Sequence, residues 1–327
     1  MPAFDKSNLT RGGIDDGVVP EVSPPIVTIL IPVHDRLELT SACLDSIFAT
    51  ADPSVPFEII VVDDGSTDGT DKYLESLGPR VRILQNESRK CFSEKMNMAA
   101  PLACGEYLCF LNNDTLVTNG WLKNLLTAAR DNPTIGIVGN RHLTPGTDLI
   151  NHAGMVFDSH GYPMHLYLGQ PADFRHALIS QEFQILTAAC WLLKKRTFLE
   201  AGGFDPAFKN GWEDVDFCLR ARRDGWKVFY AANSVIYHHG LSTMGRKDHE
   251  TANAEYFKSR WGASIVPDLD NYYVVPPPPA PRIPSDIETR YSHVKTLQAR
   301  HPLTASILRA IIRFATGVAK RLNRSRL

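Results

Sequence analysis

From residue 26 to residue 139 the chain alternates short, unbroken apolar runs with amphipathic stretches. Residues 26–32 predict a buried strand, and residues 37–50 a helix with Leu39, Cys43 and Ile47 on one face. The next strand, 57–62, ends in Asp63-Asp64-Gly65-Ser66-Thr67-Asp68-Gly69; a helix at 71–77 and a short strand at 81–85 follow. Helices over 92–102 and 120–130 bracket a strand at 107–111, and 135–139 is a further strand. Buried strands separated by helices of roughly 10–15 residues predict βαβ units and a parallel sheet.

The pattern changes at residue 142. From there to about residue 180, Gly, Pro, His and aromatic residues occur without a helical period, which predicts short strands and loops over a site. A strand at 185–194, a short helix at 197–201, a turn at 202–205 and a helix at 214–224 come next. Residues 228–230 and 235–237 are expected as two extended pieces, and 251–261 as a helix. Residues 1–24 have the character of a flexible leader, and 25–265 of one α/β domain: 25–140 forms a ligand-binding half and 141–265 a catalytic half. Residues 266–285 form a proline-rich linker containing the run 276–279. A tail, 286–327, carries Ile307, Ile311, Phe314, Val318 and Leu322 on one helical stripe and Arg309, Arg313, Lys320 and Arg324 opposite. Such a helix over 303–324 suits either an anionic membrane surface or packing on the domain or a second copy of it.

Composition narrows the partners. The chain has 327 residues, is 43% hydrophobic and 22% charged, and carries a formal charge of −1, so nothing global points to nucleic acid. Six scattered cysteines show no metal-ligand spacing, which favours reduced thiols and a cytoplasmic setting. There is no signal-peptide pattern and no apolar run of about 18 residues, so no spanning helix is expected.

Four acidic or histidine-bearing segments carry candidate chemistry. Tyr107-Leu108-Cys109-Phe110-Leu111 runs into Asn112-Asn113-Asp114, so a buried strand delivers a carboxylate and two amides to the carboxyl edge of the sheet, where α/β proteins bind ligands. Mg²⁺ and Mn²⁺ take oxygen ligands, often only one or two of them carboxylates when a diphosphate supplies the rest; a plain turn accounts for the same residues. Asp63 to Asp68 form an acceptor-rich rim in which Asp64 can take the imide N–H of a pyrimidine, or else Ser66 or Thr67 simply caps a helix. In Trp212-Glu213-Asp214-Val215-Asp216, Asp216 is set against Arg220 at i,i+4, which leaves Asp214 as a general base and Glu213 to shape the acceptor side. Tyr237-His238-His239 ends an apolar strand and can add an imidazole to the metal shell that Asp114 begins.

Together these segments resemble family 2 glycosyltransferases of the GT-A fold. The resemblance rests on Ile31-Pro32-Val33-His34-Asp35-Arg36, Val61 to Asp68, Ala103-Cys104-Gly105-Glu106-Tyr107 running into Leu111 to Thr115, Thr187 to Cys190, Gly202 to Asp205, Trp212 to Arg220, and His238. It spans roughly residues 26–262, and within the family it is most like the rhamnosyltransferase and O-antigen group. It implies an α/β fold with a Rossmann-like, mostly parallel sheet flanked by helices, here with a C-terminal helical extension. It also implies inverting transfer of a sugar from a UDP- or dTDP-linked donor to a hydroxyl of a glycan or lipid-linked glycan, with Mg²⁺ or Mn²⁺. Carried over by position, Pro32, Val33, His34, Arg36, Asp64, Asn97, Asn112 and Asn113 would bind the donor. Asp114 and His238 would hold the metal, and Asp214 would be the base with Glu213 beside it. Asn112 stands where many relatives have a metal-binding Asp, and Cys91 where they have Gly. Arg89 and Lys90 either contact the diphosphate or form a solvated loop. The enzyme would work in the cytoplasm, at the inner face of the plasma membrane if the tail binds there. A non-catalytic nucleotide- or glycan-binding module is the rival reading; intact Asp64, Asp114 and Asp214 argue against it. Nucleotidyl transfer would need a Gly-rich, lysine-bearing loop that 32–36 does not provide.

Overall fold

The computed structural model describes residues 24–86, 88–240 and 246–272. The expected leader up to residue 23, the proline run and the amphipathic tail with its stripe at 303–324 lie outside the described residues.

The first half alternates as the pattern requires. Strands β1 (Val27–Val33), β2 (Phe57–Asp63), β3 (Arg82–Gln85) and β4 (Tyr107–Leu111) lie parallel, linked by α1 (Leu37–Ala49), α2 (Thr70–Ser76) and α3 (Phe92–Ala99). The chain continues through β5 (Thr115–Val117), α4 (Trp121–Asp131), β6 (Ile135–Leu143), β7 (Ile150–His152), β8 (Met155–Phe157), β9 (Pro163–His165), β10 (Gln181–Phe183) and β11 (Cys190–Lys194). It then forms α5 (Lys195–Glu200), α6 (Glu213–Arg223), β12 (Lys227–His238) and α7 (Glu250–Trp261). The main sheet has the order β10-β12-β6-β11-β4-β1-β2-β3, with β5 on β12 and β7 on β6. Strands β1 to β4, β6 and β12 share one direction, and β11 runs against its neighbours β4 and β6.

Both faces of the sheet are covered, which is why its central strands are largely apolar; the polar Thr28 and Glu58 pair with each other, Thr28 Oγ1 donating to Glu58 at 2.7 Å. Side chains alternate across a strand: Leu30, Ile60, Leu108 and Phe110 enter one core, and Ile29, Ile31, Ile59, Val61, Cys109 and Leu111 enter the other. The first core is strongly aromatic, with Phe110 in contact with Trp191, Phe198 and Phe204. Gly105 precedes β4 where a Cβ would stand 2.6 Å from the Thr28 nitrogen, so the turn into that strand tolerates no side chain. All six cysteines are free; Cys104 is exposed and the other five are buried.

Several expectations are corrected. The strand expected over 185–194 is reduced to β11, because the chain before Cys190 uses its backbone elsewhere: Leu186 N–H meets the Cys218 sulfur and Ala188 N–H meets Asp214. The two pieces expected at 228–230 and 235–237 are one strand, β12, irregular between Ala231 and Val235, where Ser234 Oγ donates to the Trp121 carbonyl. Neither Ser66 nor Thr67 caps α2; its N-cap is Gly69, and Asp68 accepts from Thr70 N–H instead. The three-residue strands β5 and β10 are too short to show a period. The packed chain also passes the boundary expected at 265, since Asp268 exchanges backbone and carboxylate hydrogen bonds with Phe157, and Tyr272 packs on Phe183.

One buried ionic cluster ties the second half together. Asp216, fully buried, accepts from Arg220 Nε at 2.8 Å and Trp261 Nε1 at 2.8 Å and lies 3.2 Å from Arg260 Nε. Arg220 also donates to the carbonyls of Ala201 and Gly203. Removing one member of a buried pair strands the other, which costs about 3–5 kcal/mol. We expect Asp216→Ala to lower the unfolding free energy by about that amount in urea; a loss below about 1 kcal/mol would show that the cluster is not a structural anchor.

Candidate active site

The carboxyl ends of β1 and β2 are laced together. Asp35 and Arg36 both adopt left-handed backbone (φ 53° and 66°), and this tight turn brings Asp35 N–H to Ser66 Oγ and Leu37 N–H to Asp68. Thr67 N–H returns a bond to the Asp35 carboxylate at 2.7 Å, and Ser66 is held to Asp63. His34 Nδ1 donates to the Asp64 carbonyl at 3.0 Å. Rim hydroxyls and carboxylates therefore stiffen a turn that presents Pro32, Val33, His34 and Arg36 to a cleft of about 340 Å³.

The end of β4 supplies the next wall. Asn112 is held through its backbone N–H, which donates to the Ala189 carbonyl, and Asn113 through its side-chain Nδ2, which donates to Thr40 Oγ1; both residues line the cleft. Asp114 is 5% exposed, and its Oδ1 lies 3.3 Å from His238 Nε2. The pairing of β5 with β12 sets Thr115 opposite His238 and so brings the two strand ends together. His239 N–H bonds to the Asp114 carbonyl.

The start of α6 closes the third side. Asp214 Oδ2 accepts from Ala188 N–H at 3.1 Å and Oδ1 from Val215 N–H at 2.9 Å. Glu213 turns back to take Gly211 N–H at 2.6 Å, closing a turn in which Asn210 and Trp212 have positive φ. Asn253 clamps that turn through Lys209 and Gly211. Glu213, Asp214, Asp114, Asn112 and His238 all line the one cleft, together with Arg89, Lys90 and Lys95.

Asp114 and His238 form a donor set of one carboxylate and one imidazole, suited to Mg²⁺ or Mn²⁺. Among the described residues no group of three or more His, Cys, Asp or Glu side chains is placed to hold a metal. A cation here would therefore need oxygens from its substrate, and the polar cleft beside the pair has room for them. The residues fit a metal shared with a diphosphate.

Behind His238 stands a row of imidazoles that the sequence did not single out. His142 lies at 88° to His238 with ring centroids 5.4 Å apart, His152 follows at 4.8 Å, and His165 at 5.0 Å from His152. Burial holds both His142 and His152 well below the ordinary histidine pKa, with the neighbouring imidazoles adding to the effect. No motif could reveal the row, because its members come from four separate strands.

Two residues expected at the donor site have partners within the protein. Asp64 does not line the cleft: it is 2% exposed, and its carboxylate accepts from Lys90 N–H at 2.9 Å and Asn86 Nδ2 at 3.2 Å and lies 3.4 Å from Lys95 Nζ. Through Lys90 N–H it holds the Arg89–Lys90 segment that lines the cleft. Burial lowers the Lys95 pKa despite the Asp64 carboxylate beside it. Asn97 is also outside the cleft. Its amide bridges the Phe204 backbone, taking the N–H at 2.9 Å and donating to the carbonyl at 2.8 Å. Gly203 makes this approach possible, since a Cβ there would lie 2.4 Å from Asn97 Oδ1.

Residues 28–199 match the family model for glycosyl transferase family 2. The chain belongs to that family. It is 32% identical over 261 residues to O-antigen biosynthesis protein RfbC of Myxococcus xanthus, covering 76% of this chain and 20% of that protein. An N-acetylglucosaminyl-diphospho-decaprenol L-rhamnosyltransferase of Mycobacterium tuberculosis is 26% identical over 63% of this chain and 74% of its own. The chain thus spans only a fifth of RfbC, and it covers 28% of an uncharacterized Sinorhizobium fredii protein. The fold is that of a mannosyltransferase from Pyrobaculum calidifontis solved with GDP-Man and Mn²⁺ (TM-score 0.55, 20% identity, 92% of this chain and 83% of that one).

In this family 2 chain Asn97 serves the fold. Asn97→Ala is expected to lower stability by about 1–3 kcal/mol, because two backbone groups lose their partner. Nucleotide affinity of the folded variant should stay unchanged by calorimetry; a clear loss of affinity would restore Asn97 to the donor site.

Proposed function

We propose that the protein is an inverting glycosyltransferase acting in cell-surface polysaccharide or glycan synthesis. Its donor would be a UDP- or dTDP-linked sugar, and its acceptor a hydroxyl of a glycan or lipid-linked glycan. One observation carries the reading: Asp214 and the Asp114–His238 pair open onto the same cleft, whose remaining wall bears Arg36, Arg89, Lys90 and Lys95. A base, a metal pair and cationic groups are the parts that a single displacement on a sugar diphosphate requires. The likeness to RfbC and to the rhamnosyltransferase supports the surface-glycan setting.

Asp214 takes the proton of the acceptor hydroxyl as that oxygen attacks the anomeric carbon. The new C–O bond forms while the bond to the diphosphate oxygen breaks, and the nucleoside diphosphate leaves with the electron pair. Ala188 N–H and Val215 N–H fix the carboxylate, so Asp214 is oriented before the acceptor arrives. Asp114 and His238 would hold Mg²⁺ or Mn²⁺, which would supply positive charge to the leaving group, where the largest charge develops. Arg89 and Lys90 flank the same cleft and add fixed cations. Asn112 brings an uncharged amide there, so the protein's formal negative charge at the metal falls on Asp114.

General base catalysis contributes about 10²–10⁴-fold. Asp214→Asn is expected to lose transfer by roughly that factor, with donor binding kept in a thermal-shift assay. Near-normal turnover by the folded variant would remove Asp214 from the mechanism. Asp114→Ala is expected to abolish dependence on Mn²⁺ and to weaken nucleotide binding. Untouched nucleotide affinity, measured with and without Mn²⁺, would overturn the metal role.

A further inference from the structure

We propose that His142 is a positioning residue for the metal ligand His238, a fixed wall that keeps the imidazole turned toward Asp114. The inference rests on the metal reading above and goes beyond it to a residue that never meets substrate. His238 ends β12 and is held by its backbone opposite Thr115, so pairing alone does not set its ring angle. The ring is set by what stands beside it. His142 stands there at right angles, fully buried.

His142 is itself locked by a buried chain of hydrogen bonds. Its Nε2 lies 2.9 Å from Asn140 Oδ1; Asn140 Nδ2 donates to Ser234 Oγ at 3.2 Å, and Ser234 Oγ donates to the Trp121 carbonyl at 2.8 Å. Asn140 and Ser234 are also fully buried. Because Asn140 Oδ1 can only accept, His142 carries its proton on Nε2, and the tautomer is fixed. Its Nδ1 is then a buried acceptor without a hydrogen-bond partner among the described residues, and His152 Nε2 is likewise unpartnered among them. A phenylalanine would fill the same space without leaving a polar atom stranded, so what bears on His238 is the ring itself. A ring locked in one orientation and packed at right angles to a metal ligand is placed to hold that ligand's own ring in position.

Losing such support typically weakens metal affinity about 10–100-fold. The experiment titrates Mn²⁺ by electron paramagnetic resonance with UDP and, separately, with dTDP, and records thermal unfolding of each variant. Asp114→Asn should abolish Mn²⁺ binding; this arm tests the metal reading by itself, and unchanged binding there overturns both. His142→Ala should weaken Mn²⁺ binding about 10-fold or more, and His142→Phe, which restores a ring beside His238, should recover most of it. His142→Gln keeps a donor for Asn140 without the ring; it should show the same loss and serves where alanine does not fold. His152→Ala opens a similar void one ring further from the metal and should change Mn²⁺ affinity by less than about 3-fold. Unchanged Mn²⁺ affinity in folded His142→Ala or His142→Gln, with Asp114→Asn still inactive in binding, overturns the positioning role alone. Equal losses in the His142 and His152 variants do the same, since they would trace to general loosening.

Discussion

Asp216 accepts from Arg220 and Trp261 inside the protein with Arg260 against it, and so the rotation of α6 about its axis is set. Two residues earlier the helix carries Asp214, about 200° round at 3.6 residues per turn, and therefore facing the other way. One carboxylate is spent on the interior so that its neighbour is delivered to the cleft. Arg220 extends the constraint to the carbonyls of Ala201 and Gly203, and Asn97 grips the adjoining Phe204 backbone from α3. The first half of the sheet and the helix bearing the candidate base are thereby held in one frame.

The cleft is assembled from ends rather than from any single element. The turn after β1 is laced to the loop after β2, the end of β4 meets the end of β12, and the first turn of α6 closes on the 187–189 segment. Short acceptor side chains at strand ends bond to one another as often as they face the cavity. That explains why an acid-rich rim holds only some groups that can meet a ligand.

Much of this was legible in the sequence, for physical reasons. Strands buried on both faces must be largely apolar, so β1, β2 and β4 stood out almost to the residue, and the i,i+4 spacing of Asp216 and Arg220 announced their pairing. The convergence of Asp114 and His238 was anticipated from motif order, and the contact of 3.3 Å bears out the proximity. What stayed hidden depends on partners distant along the chain. Residues 185–189 look like strand, yet the Leu186 and Ala188 N–H groups are claimed by α6; the bonds that occupy Asp64 come from Lys90 and Asn86; the histidine row exists only once β6, β7, β9 and β12 are folded together.

The distribution of thiols gives the molecule a built-in experimental address. Five cysteines are sealed in the interior, and the sixth, Cys104, is exposed ahead of β4, at the opposite end of that strand from Asp114. A maleimide dye applied to the folded protein would attach at that single position among the described cysteines, remote from the cleft. The native sequence therefore accepts one fluorophore without any cysteine being engineered in or out, and a label there leaves the ligand-binding edge uncovered.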